Sequence, residues 1–230
     1  MEINQLPAPA GMLFDLDGTL VDTGDDITHH LNKALADFAL PALTRAEILQ
    51  HVGFGAPYLV EHTLEKLQVP AGEREKLVPR VLNLFRSRYE KEPVVKARLY
   101  PGTRELLTFL RNHQIALGVV SNKPRPQVRK VISHFKLEEY FKFAWGREDV
   151  SHPKPDPRAV AEAADRLLVS GTIWFVGDSQ ADLEAALGAG AVAVGVLHGF
   201  FTKDILSPLK PHLLVNDFIE LLHILKKKLL

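Results

Sequence analysis

The sequence predicts an α/β protein, a mostly parallel sheet covered by helices on both faces, with an all-helical insertion after its first strand. Three observations predict it. Short apolar runs recur along the chain, and each ends in polar or glycine-containing turn residues. Helix-period patterns alternate with these runs, as they do where crossover helices join parallel strands. Residues 25–91 break that alternation, with several helical patterns and no long strand.

The first predicted strand is Gly11–Phe14, followed by the polar turn Asp15–Gly18. Residues 115–120 form a second apolar run, ending in Ser121-Asn122. Residues 172–176 form a third, ending in Gly177-Asp178-Ser179, and residues 191–194 and 213–215 read as shorter strands. Residues 141–145 are a further candidate between turns. Among the helices, residues 103–113 place Leu106, Leu107 and Leu110 on one side, and residues 126–137 carry Val128, Val131, Ile132 and Phe135. Residues 157–168 begin at a proline, which suits a helix start, and carry Val160, Ala163, Ala164 and Leu167. Residues 216–229 offer Asn216 as a cap and end in Lys226–Lys228, whose charge suits a helix C-terminus. The insertion holds helical patterns at residues 27–38, 46–52, 57–67 and 72–90, broken near Pro41, Gly53–Gly55 and Pro70–Gly72. The expected architecture is a three-layer, Rossmann-like core of residues 1–22 and 93–230 with a small helical cap of residues 23–92.

The 230 residues carry 28 basic and 28 acidic side chains, which gives no sign of a nucleic-acid stripe or a polyanionic tail. There is no cysteine, so disulfides, cysteine nucleophiles, Cys-ligated zinc and Fe–S centres are excluded. No stretch approaches the roughly 18 apolar residues of a spanning helix, and no basic segment precedes an apolar one at the N-terminus. The expectation is a cytoplasmic protein without nucleic-acid or membrane partners; the composition leaves monomer and homodimer both open.

Phe14-Asp15-Leu16-Asp17-Gly18-Thr19-Leu20 is the sharpest local feature. Two carboxylates this close repel one another, and a divalent cation between them relieves the repulsion. One can stay ionised as a nucleophile while the other shares a proton. In parallel α/β sheets ligands gather at the carboxyl ends of the strands. Asp15, Asp17, Ser121, Asn122, Asp178 and Asp182 are therefore expected to converge. Asp182 lies four residues after Asp178, so a helix starting at Ser179 turns both toward one site.

Asp15-Leu-Asp-Gly-Thr19 resembles the first signature of the haloacid dehalogenase-like hydrolase superfamily. Ser121 after Val119-Val120 resembles the second, Lys154 in Lys154-Pro-Asp-Pro157 the third, and Gly177-Asp178-Ser179-Gln-Ala-Asp182 the fourth. With Asp22-Thr23, Ser121-Asn-Lys-Pro124 and Gly199-Phe200, the chain is most similar to the phosphoglycolate phosphatase branch. The resemblance implies a Mg²⁺-dependent phosphatase acting on a small phosphomonoester, 2-phosphoglycolate first, through an aspartyl-phosphate. It implies Asp15 as nucleophile, Asp17 as general acid and base, and Lys154 as fixed positive charge. Gly18, Thr19, Ser121, Asn122 and Lys154 become candidate phosphate contacts. Asp15, Asp178 and the backbone carbonyl of Asp17 become metal ligands, with Asp182 binding directly or through water. Lys123 receives no chemical role.

Pyrophosphatase, sugar or nucleotide phosphatase, phosphonate hydrolase and phosphomutase activities remain alternatives on the same scaffold, and a noncatalytic binding protein is the alternative of a different class. Gly53-x-Gly55 and Gly188-Ala-Gly190 do not make a dinucleotide fingerprint. His29, His30, His51 and His62 lack the tight spacing of a zinc site.

Overall fold

The structure is a computed structural model and describes residues 5–230. Its strands are β1 (Gly11–Phe14), β2 (Val21–Asp22), β3 (Arg98–Leu99), β4 (Ala116–Val120), β5 (Phe143–Trp145), β6 (Ile173–Gly177), β7 (Val192–Val196) and β8 (Leu213–Val215). All but β2 and β3 join one parallel sheet in the order β5-β4-β1-β6-β7-β8. Helices α1 (Gly24–Ala36), α2 (Arg45–Leu49), α3 (Ala56–Lys66) and α4 (Ala71–Lys91) occupy the insertion. The core helices are α5 (Thr103–Asn112), α6 (Arg125–His134), α7 (Arg158–Leu167), α8 (Gln180–Gly188), α9 (Lys203–Leu206) and α10 (Phe218–Leu229). No helix among the described residues is long and apolar enough to cross a membrane.

The continuous apolar strands split their side chains between two cores, because successive residues of a strand face opposite sides. Met12 and Phe14 of β1, with Leu117 and Val119 of β4, pack against Leu106, Leu107 and Leu110 of α5 and Val128 and Val131 of α6. Leu13, Ala116 and Val120 pack on the other face against Val160, Ala163 and Leu167 of α7 and Leu183 of α8. The sheet is thus buried on both sides, as its unbroken apolar runs require. A third core belongs to the insertion, where Leu31 and Leu35 of α1 meet Val60 and Leu64 of α3 and Val81 and Phe85 of α4.

The sheet order sets the site. β1 lies between β4 and β6, with Phe14 opposite Val119 and Val176. Asp15, Ser121 and Asp178 therefore leave three adjacent strands at one edge.

Two local features depart from the sequence reading. Asp217, not Asn216, caps α10, accepting the backbone N–H groups of Ile219 and Glu220 at 2.9 Å each. Asn216 instead pairs with Glu220. The insertion also leaves and re-enters the core through β2 and β3, which pair antiparallel; two residues per strand are too few to show a period. Beside this ribbon, buried Asp26 of α1 accepts the backbone N–H groups of Val95, Lys96 and Ala97 at 3.1, 2.8 and 3.0 Å.

Removing that carboxylate strands three N–H donors. Asp26→Ala is expected to lower stability by about 3 kcal/mol. Neighbouring Asp25 is exposed and pairs with Arg45 at 3.2 Å, so Asp25→Ala should cost less than about 1 kcal/mol. Urea unfolding of the two variants checks both; equal losses would remove the clamp from the account.

Candidate active site

Asp15 follows β1 directly and is nearly buried. Lys154 reaches it from the loop before α7, with Nζ 2.7 Å from Asp15 Oδ1, 2.6 Å from Asp182 Oδ1 and 2.7 Å from the carbonyl of Val120. Asn122 holds that loop in place. Its Nδ2 donates to the carbonyl of Lys154 at 2.7 Å, and its Oδ1 accepts the N–H of Lys154 at 3.1 Å. The same Nδ2 donates to the carbonyl of Gly53 at 2.8 Å, tying in the loop between α2 and α3. Gly53 has φ +112°, and a Cβ there would sit 2.9 Å from Cβ of Ser179. That loop therefore lies against the N-terminus of α8.

Asp178 follows β6. Its Oδ1 accepts the Thr19 hydroxyl at 2.9 Å and its Oδ2 accepts the N–H of Phe200 at 2.7 Å. Close backbone approach makes room for this carboxylate. Gly18 has φ +85°, and a Cβ there would lie 2.3 Å from Asp178 Oδ2. Asp182 serves α8 as well as the site: its Oδ2 accepts both the N–H and the hydroxyl of Ser179, closing a capping box.

Asp17 turns a different way. Its Oδ1 accepts the Thr23 hydroxyl at 2.7 Å, and Lys123 Nζ lies 3.1 and 2.9 Å from its two oxygens. Lys123 also donates to Tyr89 Oη of α4 at 3.0 Å. Ser121 Oγ accepts the N–H of Lys123 at 3.3 Å, which leaves its own proton free. Asp15, Asp17, Ser121, Asn122 and Lys123 line a pocket whose opposite wall comes from the insertion, through Ile27, Val52, Ala56, Leu59, Phe85 and Tyr89.

The structure thus gathers the residues singled out in the sequence at one strand edge, with two differences of detail. Thr19, a candidate phosphate contact, donates its hydroxyl to Asp178 instead. Asn122 spends its amide on Gly53 and Lys154, because the two loops bring unpaired backbone groups to it. The Asp17 side chain lies outside the acidic cluster of Asp15, Asp178 and Asp182. Lys123 and Tyr89 are the residues that sequence reading passed over. Nothing local marks them, since Lys123 is 106 residues from Asp17 and 34 from Tyr89. The only signal in reach was the position of Lys123 just past a strand end.

Asp15, Asp178 and Asp182 each offer a carboxylate oxygen, and these lie within 4.8 Å of one another. Burial pushes the Asp15 carboxyl up to about 7, against the lowering effect of Lys154, and Asp182 raises it further. Asp178 is raised well above the ordinary range by burial, then by Asp182 and Asp15. Burial opposes the charge of Lys154, but Asp15 and Asp182 outweigh it and hold the ammonium charged. One ammonium among three buried carboxylates leaves negative charge in excess, and the ligand atoms are all oxygen. That donor set fits a hard divalent cation.

Residues 12–196 match the family model described as haloacid dehalogenase-like hydrolase. A protein from Haemophilus influenzae named phosphoglycolate phosphatase is 33% identical over 215 residues, covering 92% of this chain and 96% of its own. One of the same name from Photorhabdus laumondii is 31% identical, covering 91% of this chain and 89% of its own. The crystal structure of a protein from Haemophilus somnus, described as a predicted phosphoglycolate phosphatase, superposes with a TM-score of 0.82. It is 28% identical and covers 94% of this chain and 97% of its own.

The raised carboxyls make the cation-free protein lose stability as pH rises from the acid range toward neutrality. In the folded chain Asp15 and Asp178 hold protons that the unfolded chain releases near 3.8. For Asp15 the stabilising effect is complete below that pH and is lost as pH rises toward about 7, and the raised Asp178 acts in the same direction. The melting temperature in chelator should therefore fall over this interval, and should fall less in Asp178→Asn. A divalent cation should raise it by several degrees at pH 8 in the wild type and little in the variant. Parallel curves for the two proteins with and without cation would refute the assignment of Asp178.

Proposed function

The chain belongs to the haloacid dehalogenase-like hydrolase family, and we propose that it is a magnesium-dependent phosphatase that hydrolyses a small phosphomonoester, 2-phosphoglycolate, through an aspartyl-phosphate. The observation that carries this reading is the pairing of Lys154 with Asp15 at 2.7 Å, beside a second carboxylate, Asp17, that opens on the same pocket. The resemblance to proteins named phosphoglycolate phosphatase supports the choice of substrate.

In this reading Asp15 attacks phosphorus in line with the departing alkoxide. The phosphorus–alkoxide bond breaks as the Asp15–phosphorus bond forms, and Asp17 gives its proton to the leaving oxygen. Asp17 then takes a proton from water, the resulting hydroxide attacks phosphorus, and phosphate leaves with Asp15 restored. Lys154 holds positive charge beside the nucleophile, which lowers its repulsion toward the phosphate. Ser121 has a free hydroxyl proton for a phosphoryl oxygen. Mg²⁺, when bound, would be held by Asp15, Asp178 and the Asp17 carbonyl with support from Asp182, and would supply charge that neutralises the phosphate dianion. Residues 23–92 act as the cap, shielding this chemistry from water with the apolar wall of the pocket.

A second reading concerns the leaving group. Among the described residues, the insertion contributes no cation to the pocket lining, and Lys123 is the one cation there. That ammonium is already paired with Asp17 and Tyr89, so the described lining offers a carboxylated leaving group no free charge partner; a neutral alcohol needs none. Turnover of 2-phosphoglycolate should exceed that of sugar phosphates, nucleotides, pyrophosphate and phosphonates, measured as kcat/KM. A preference for neutral alkyl phosphates would move the assignment to the second reading.

Asp15→Asn is expected to abolish phosphoenzyme and turnover, and Asp17→Asn to slow release of the alcohol by about 100-fold or more. Rapid-quench assays with labelled substrate read both steps. Chelator should stop turnover and Mg²⁺ restore it, and undiminished activity in chelator would overturn the cofactor assignment.

A further inference from the structure

Asp17 is held by groups from two parts of the fold. Thr23 sits where the chain enters the insertion, and Lys123 sits on the loop after β4. Lys123 in turn rests on Tyr89, in the last turn of α4. Its Nζ is 3.0 Å from Tyr89 Oη and 4.2 Å from the centre of the ring. Both side chains are almost wholly enclosed, Lys123 at 8% exposure and Tyr89 at 1%. Tyr89 is itself fixed by the rings of Phe85 and His30. An ammonium on four rotatable carbons has no preferred direction of its own. The Tyr89 hydroxyl gives Lys123 one, and the two remaining contacts run to the oxygens of Asp17.

We propose that Tyr89 and Lys123 are positioning residues that set the direction of the Asp17 carboxyl, so that proton transfer to the leaving oxygen requires α4 to be seated on the core. This rests on the phosphatase reading above. Neither residue touches the reacting phosphorus. They act through Asp17, and only in the steps that move its proton. A seated α4 also closes the apolar wall, so the proton is delivered when the pocket is shut.

The consequence depends on the leaving group. A simple alkoxide is basic and must be protonated as it departs, whereas p-nitrophenolate is weakly basic and leaves with little help. Tyr89→Phe keeps the ring and its packing and removes only the hydroxyl. Its kcat for an alkyl phosphate should fall by about tenfold with KM within about twofold of wild type, and its burst of p-nitrophenol in a single turnover of p-nitrophenyl phosphate should be nearly unchanged. Placed on Asp17→Asn, the same substitution should have no further effect on the alkyl phosphate. Lys123→Gln, which keeps a hydrogen-bonding side chain, should show the same leaving-group dependence. Equal losses on both esters, a loss confined to KM, or additive losses on Asp17→Asn would overturn the proposal while leaving the phosphatase reading intact. If the wild type hydrolyses neither ester, the phosphatase reading fails and the proposal fails with it.

Discussion

The site is governed by an excess of buried negative charge. Three carboxylates share one ammonium, Lys154, which touches Asp15 and Asp182. Among the described residues Asp178 has no cation as a hydrogen-bond partner and depends on a hydroxyl and a backbone N–H. Burying charge without a matching partner is costly, and the chain tolerates it because the parallel sheet and its cores fix the strand ends regardless. The constraint also explains the glycines nearby. The backbone at Gly18 and Gly199 approaches Asp178 so closely that a Cβ would lie 2.3 Å from its atoms. A fold that holds such a cluster ready sacrifices some stability for a divalent cation that completes the charge balance.

Much of this was legible in the sequence because the signals are local. An apolar run followed by acidic turn residues marks both a strand and what stands at its end, and this suffices for Asp15 and Asp178; Lys154 follows no such run and is reached only through the resemblance of Lys154-Pro-Asp-Pro157 to a family motif. The alternation of strands and helices gives a parallel sheet without any knowledge of pairing. What could not be read depends on distant partners. Asp26 resembles any acidic residue in a first helical turn until residues 95–97 are seen to return to it. Thr19 has equal reason to face phosphate or carboxylate, and only the proximity of Asp178, 159 residues away, decides. Lys123 looks like a solvated lysine, yet it is buried, and although burial works against its charge, Asp17 and Tyr89 outweigh that and raise its affinity for its proton.

The insertion and the core contribute different things to one pocket. The core supplies almost all the charge, and the insertion supplies Ile27, Val52, Ala56, Leu59 and Phe85. Apolar walls lower the local dielectric, so each charge on the core side acts more strongly than it would in water. Asn122 joins the two halves by holding Gly53 of the insertion and Lys154 of the core with one amide. The two walls of the pocket are thereby linked by hydrogen bonds as well as by packing.

The paired β2 and β3 carry a longer-term consequence. Outgoing and returning chains lie side by side, with Val21 opposite Leu99 and Asp22 opposite Arg98. Whatever is spliced between them starts and finishes at nearly the same point in space, so its size places no demand on the register of the main sheet. Such a gateway lets evolution, or an engineer, graft a different lobe without disturbing the sheet, provided that the new lobe restores the contact Tyr89 makes with Lys123.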